Sequence, residues 1–171
     1  YRFYTADMNA RVQARLQLET DMRRGLLHNE FFLVYQPQID MQTGRAAAVE
    51  ALLRWRDPVR GVIPPTEFIP IAEESGMIQA LGARVLRDAC RQVVQWHRLG
   101  MMLRLSVNLS VQQLQHDSCL AVVEEALRSS GLAPQYLDRV DVILGGGSGF
   151  FDKKDRPDQH DLSGDFAKAG Y

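Results

Sequence analysis

Two cysteines among 171 residues, Cys90 and Cys119, are too few for a disulfide framework, and they form no Cys-x-x-Cys pair. Reduced, buried thiols in a cytoplasmic protein are the expectation. The four histidines, His28, His97, His116 and His160, stand at no zinc-ligand spacing, so zinc chemistry has no basis in the chain. An excess of one charge is missing as well. Twenty Lys and Arg face 21 Asp and Glu, and the net charge of -1 gives no reason to expect duplex DNA or an anionic membrane as a partner. No apolar run approaches the roughly eighteen residues of a membrane span, so any membrane role falls to a segment outside this chain. The glycine run Gly145-Gly146-Gly147 lacks the Gly-Lys-Ser/Thr ending of a phosphate loop. No serine or cysteine carries a recognisable histidine motif for nucleophilic catalysis.

What the chain does have is 46% hydrophobic residues, enough for the core of one ordinary domain. Tyr1–Tyr4 is β-prone. Ala6–Leu27 reads as a helix with Met8, Val12, Leu16, Met22 and Leu26 near helical spacing, and its expected role is a connector. Phe31–Gln36 and Ala46–Leu53 read as strands, and the short turn between them, with Thr43-Gly44, forces an antiparallel hairpin. A proline-punctuated loop then leads to Thr66 as helix N-cap, a short helix over Glu67–Glu74, and Gly76. Ile78–Leu99 is the strongest helix, with Leu81, Val85, Ala89, Val93 and Trp96 on one stripe and Gly100 as its stop. Leu103, Leu105 and Val107 alternate in a strand that Asn108 ends. Ser110 and Gln113 form a capping box, a helix follows over Cys119–Ser129 up to Gly131, and Val140–Ile143 begins a third core strand. From Gly145 the composition is that of a disordered, Gly-rich polar tail. Three regions result: a connector over 1–29, a partial α/β domain over 30–144 and the tail over 145–171.

Glu50 is the residue that most demands an explanation. It puts a carboxylate inside the apolar run Val49-Glu50-Ala51-Leu52-Leu53, where an unpaired charge would cost several kcal/mol. Two accounts stand side by side. Glu50 pairs with an arginine such as Arg54 or Arg104 while Asn108 merely ends its strand, or Glu50 and Asn108 converge as oxygen donors on one hard cation, magnesium or manganese. Gln36 and Arg54, on the hairpin strands, are suited to a polar ligand edge and to bidentate phosphate recognition.

Four segments in order, Tyr35-Gln36-Pro37, Glu50-Ala51-Leu52-Leu53-Arg54-Trp55, Pro65-Thr66-Glu67-Phe68-Ile69-Pro70 and Ser106-Val107-Asn108-Leu109-Ser110, closely resemble bacterial EAL domains. Tyr1-Arg2-Phe3-Tyr4 and the helix after it are similar to the end of a GGDEF domain and its linker. The resemblance implies a TIM-like (β/α)8 barrel with one antiparallel strand, here truncated to its first three or four strands. It implies hydrolysis of cyclic di-GMP to the linear dinucleotide with two magnesium or manganese ions, and a GGDEF domain as partner. An open half barrel leaves a sheet edge and an apolar face uncovered, so association with a second copy is a further expectation. It makes Glu50 and Asn108 metal ligands and Gln36 and Arg54 contacts to the dinucleotide. Family members continue after the Leu137 region with Glu-Leu-Glu-Ile-Thr-Glu-Ser, a further metal-ligand strand. This chain reads Asp138-Arg139-Val140-Asp141-Val142-Ile143 instead, with Asp141 as the one candidate substitute. No general base or catalytic lysine is identifiable, so negligible hydrolysis is expected, and a non-catalytic module that binds cyclic di-GMP or a protein is the alternative.

Overall fold

The computed structural model describes residues 6–116, 118–132 and 140–144. The opening tyrosines and the expected tail lie outside them. Helix α1 (Ala6–Leu27) is followed by strands β1 (Phe31–Ile39), β2 (Ala46–Asp57) and β3 (Gly61–Ile63) and helices α2 (Pro65–Glu74) and α3 (Ile78–Arg98). Then come β4 (Arg104–Leu109), α4 (Val111–Leu114), α5 (Cys119–Ser130) and β5 (Val140–Leu144). The sheet order is β1-β2-β4-β5, with β3 beside β2.

β1 and β2 form the expected hairpin. The Asp40 amide donates to the Arg45 carbonyl at its tip (2.9 Å), and the Arg56 amide to the Glu30 carbonyl at its open end (2.9 Å). At the tip Asp40 Oδ1 accepts from the Gln42 amide, the side-chain turn that short acidic residues favour. β2 then pairs parallel with β4, and β4 parallel with β5, each crossover passing through helices. An antiparallel start followed by helix-linked parallel strands is the opening of an α/β barrel.

The chain divides into two compact units, Tyr1–Phe32 with Leu53–Leu81 and Leu33–Leu52 with Gly82–Tyr171. The first is built on aromatic packing. Phe31 stacks on Trp55 at 5.3 Å between centroids, and Phe68 meets both edge-on. Leu18, Met22, Ile63 and Ile71 complete that core. α1 is therefore more than a connector: Val12 and Leu16 are exposed, but Leu18 and Met22 pack inside. In the second unit, Ala89 and Val93 of α3, Leu105 and Val107 of β4, and Val123 and Leu127 of α5 are buried.

Several local readings are corrected. The N-cap of α2 is Pro64, with proline again at the first helical position, where a missing N–H costs nothing; Thr66 lies inside the helix. Gly61–Ile63, expected as loop, is a strand, with Trp55↔Ile63 to Asp57↔Gly61 paired antiparallel. β4 does not alternate, since Leu105, Ser106 and Val107 are all buried, as expected of a strand covered on both faces. Trp96 is only half-buried, set edge-on to Tyr35 at 4.8 Å.

An ionic cluster ties α1 to the turn after β2. Arg24 donates to Asp21 (2.9 Å) and Asp57 (2.8 Å), and Arg60 donates to Asp21 (2.6 Å). Burial alone would push the Asp57 carboxyl up. The amides of Arg60 and Val59, with the Arg60 and Arg24 guanidiniums, outweigh it and hold the group below the ordinary carboxylate range. The folded chain thus favours ionised Asp57 more than the unfolded chain does. Its contribution is complete above the ordinary range and is lost as pH falls through the lower folded value. Asp57→Asn is expected to lower the melting temperature at neutral pH and to converge with the parent in acid. Circular-dichroism melts across pH check this, and curves that stay parallel down to acid would refute it.

Candidate functional site

β2 and β4 lie side by side in parallel register, with Glu50 opposite Ser106. Alternation along a strand places Asn108 on the same face as Ser106, one step diagonally from Glu50. The structure uses that diagonal: Asn108 Nδ2 donates to Glu50 Oε1 at 2.6 Å. Glu50 is half-buried between the buried Val49 and Ala51, and Asn108 is exposed. The group facing the strand carboxylate is thus an amide from the neighbouring strand, and Asn108 does more than end β4.

The other two candidates are placed separately. Gln36 lies exposed on β1. Arg54 lies four residues beyond Glu50 on β2, half-buried, and its Nη1 donates to the Leu53 carbonyl at 2.8 Å. Next to it in sequence, Trp55 is fully buried and donates from its indole N–H to Glu30 Oε2 at 3.1 Å. Successive side chains on a strand point to opposite faces, so the anchored Trp55 directs Arg54 away from the aromatic core.

Two side chains of the second unit, Tyr35 and Cys90, hold their protons more tightly than free groups. Burial, with further contributions from Asp88 and Cys90, pushes the Tyr35 phenol up to about 12. Burial likewise pushes the Cys90 thiol up to about 12. Cys90 and Cys119 form no disulfide, and both are buried. Such a thiol is inert at neutral pH.

Glu50 and Asn108 offer one carboxylate and one amide carbonyl, both hard oxygen donors. That suits part of the shell of a magnesium or manganese ion, which commonly takes one or two protein oxygens and completes its shell with water and phosphate. Among the described residues no group of three His, Cys, Asp or Glu gathers to hold a metal. On β5, Asp141 stands opposite Ser106 in register, in the same row as Glu50.

A family model described as EAL domain matches residues 19–138. The chain belongs to the EAL domain family. It is 42% identical over 138 residues to an uncharacterized signaling protein of Caulobacter vibrioides, covering 81% of this chain and 17% of that one. It is 41% identical over 125 residues to the cyclic di-GMP phosphodiesterase PdeR of Escherichia coli, covering 73% and 19%. It is 40% identical over 138 residues to the bifunctional diguanylate cyclase/cyclic di-GMP phosphodiesterase MucR of Pseudomonas aeruginosa, covering 80% and 20%. Among solved structures, the MucR phosphodiesterase in complex with c-di-GMP superposes with a TM-score of 0.69 at 37% identity, over 74% of this chain and 50% of that one. The EAL enzyme Bd1971 in its cGMP-bound form reaches a TM-score of 0.78 at 23% identity, over 95% and 44%, and supports the fold alone. This EAL chain therefore spans about a fifth of the length of those sequence relatives and half or less of those structures. Its fold is the opening part of the TIM-type EAL barrel. Among the described residues no helix is long and apolar enough to cross a membrane.

Proposed function

We propose that this chain is the opening part of a cyclic di-GMP phosphodiesterase domain that retains one edge of the ligand site and by itself hydrolyses the dinucleotide negligibly. The observation that carries this reading is the Asn108–Glu50 hydrogen bond across adjacent parallel strands. It sets two oxygen donors together inside a segment that matches the EAL model. Glu50 and Asn108 would hold one magnesium or manganese ion. Such an ion, when bound, neutralises phosphate charge and acidifies water. Arg54 contributes a guanidinium for phosphate, and Gln36 an amide for a polar edge of the ligand. The fourth part of the reading is architectural: residues 1–29 join the domain to an upstream GGDEF-like domain, as the two activities in the name of MucR suggest.

Isothermal titration of the chain with cyclic di-GMP, with and without magnesium, tests the reading while chromatography follows linear product. Binding that magnesium strengthens, without product, is the expected result. Arg54→Ala is expected to weaken it roughly tenfold, the scale of one lost charge-assisted contact of about 1.4 kcal/mol. No binding in either condition sinks the ligand site. Magnesium-dependent product overturns the claim of negligible turnover.

A further inference from the structure

The described ladder between β4 and β2 runs from Ala48↔Arg104 to Ala51↔Val107, so Asn108 lies one residue past the last of these pairs. Two other features hold it. Asn108 pairs with Ile143 on β5, and two residues later the chain enters the capping box of α4. There the Ser110 hydroxyl accepts from the Gln113 amide, and Gln113 Oε1 accepts from the Ser110 amide at 3.0 Å. Gln113 is only 6% exposed, unusual for a capping side chain at the head of a one-turn helix.

Its burial depends on Gly82 of α3. A Cβ built on Gly82 would overlap Gln113 Nε2 and lie 2.7 Å from its Cδ. The tip of a glutamine ordinarily swings aside from such a collision, but this one is enclosed and its Oε1 is held by Ser110. Gly82 is not among the glycines with positive φ, so its backbone does not need glycine. A glycine inside a helix is less favourable than alanine, and room for Gln113 supplies its reason.

We infer that Gly82 and Gln113 are a positioning pair for Asn108. Gly82 leaves the space, Gln113 fills it and fixes Ser110, and the β4 exit is thereby set so that the Asn108 amide reaches Glu50. The inference rests on the reading of Glu50 and Asn108 as site residues. Its test does not require ligand, because the hydrogen bond between them is present in the chain alone.

The sequence holds three asparagines, Asn9, Asn29 and Asn108, the first two exposed. Selective 15N-asparagine labelling thus gives three side-chain amide pairs. The Asn108 pair is expected to stand apart from the other two in the parent and to join them in Glu50→Ala. Gly82→Ala and Gln113→Ala are each expected to move it at least halfway to that position while Asn9 and Asn29 stay in place. Adding Gly82→Ala to Gln113→Ala is expected to move it no further, because the collision partner is gone. An Asn108 pair unmoved in both single variants overturns the inference, as does equal movement of all three pairs, the mark of general loosening. If Gly82→Ala does not fold, Gln113→Ala decides, since it introduces no collision. Titrating the same parent sample with cyclic di-GMP reads the ligand proposal separately: no binding, with Asn108 still moved by the variants, sinks that proposal and leaves the positioning pair standing.

Discussion

Trp55→Ala is expected to destabilise the chain by about 3–5 kcal/mol, the cost typical of truncating a buried tryptophan. Trp55 is fully enclosed, stacked on Phe31, edge-on to Phe68, and bonded through its indole N–H to Glu30. Removing it empties the centre of the first unit and strips Glu30 of a donor. The surroundings have little room to collapse. A Cβ on Gly25 would already lie 2.8 Å from the Glu30 carboxylate and 2.9 Å from the Trp55 indole nitrogen, so α1 lies close against both. Against a stability of about 5–15 kcal/mol for a typical domain, such a loss removes a large share of what holds the chain folded. Trp55→Phe separates the two contributions: it keeps most of the ring packing and removes the hydrogen bond, with an expected cost of about 1–3 kcal/mol. Urea titrations followed by circular dichroism measure both. A Trp55→Ala midpoint close to the parent's would show that the aromatic cluster does not hold this unit together.

The elements legible in the sequence are those with local causes. Ala6–Leu27 as a helix, the hairpin, the helix from Ile78, the Ser110–Gln113 box and the stops at Gly100 and Gly131 all follow from spacing, turn length or backbone chemistry within a few residues. Both glycines have the positive φ that such stops require. The elements that depart from the sequence expectation have distant causes. β3 has three residues and exists because β2 runs on to Asp57 and offers it an edge. α1 turns from exposed to buried at Leu18, which periodicity does not reveal, because the aromatic cluster that covers Leu18 and Met22 is assembled from Phe31, Trp55 and Phe68 far along the chain. At the candidate site, the types and strands of Glu50 and Asn108 are legible, since a carboxylate in an apolar run demands a partner. That the partner is Asn108 depends on the β2–β4 register. The role of Gly82 had no signal at all, because a glycine within a helical stripe looks the same whether or not a buried glutamine needs its space.

The magnesium dependence of cyclic di-GMP binding is expected to disappear in Glu50→Gln while the fold survives. The change is isosteric, and a glutamine carbonyl still accepts from Asn108 Nδ2, so the contact across β2 and β4 persists in weaker form at a cost of about 1 kcal/mol or less. What is lost is the negative charge, which a purely structural hydrogen bond does not need and a divalent cation does. Asn108→Asp makes the opposite change. It sets two carboxylates at the distance of the present hydrogen bond, so without metal the strands should repel and the melting temperature fall. Magnesium should then raise it more than in the parent, since binding to the folded form alone stabilises it in proportion to site occupancy. The pair of variants thus separates the two accounts of this site. If Glu50→Gln retains the full magnesium effect and Asn108→Asp gains none, the two residues are a strand-to-strand contact and no more. If the magnesium effect vanishes in the first and grows in the second, the two oxygens hold the ion.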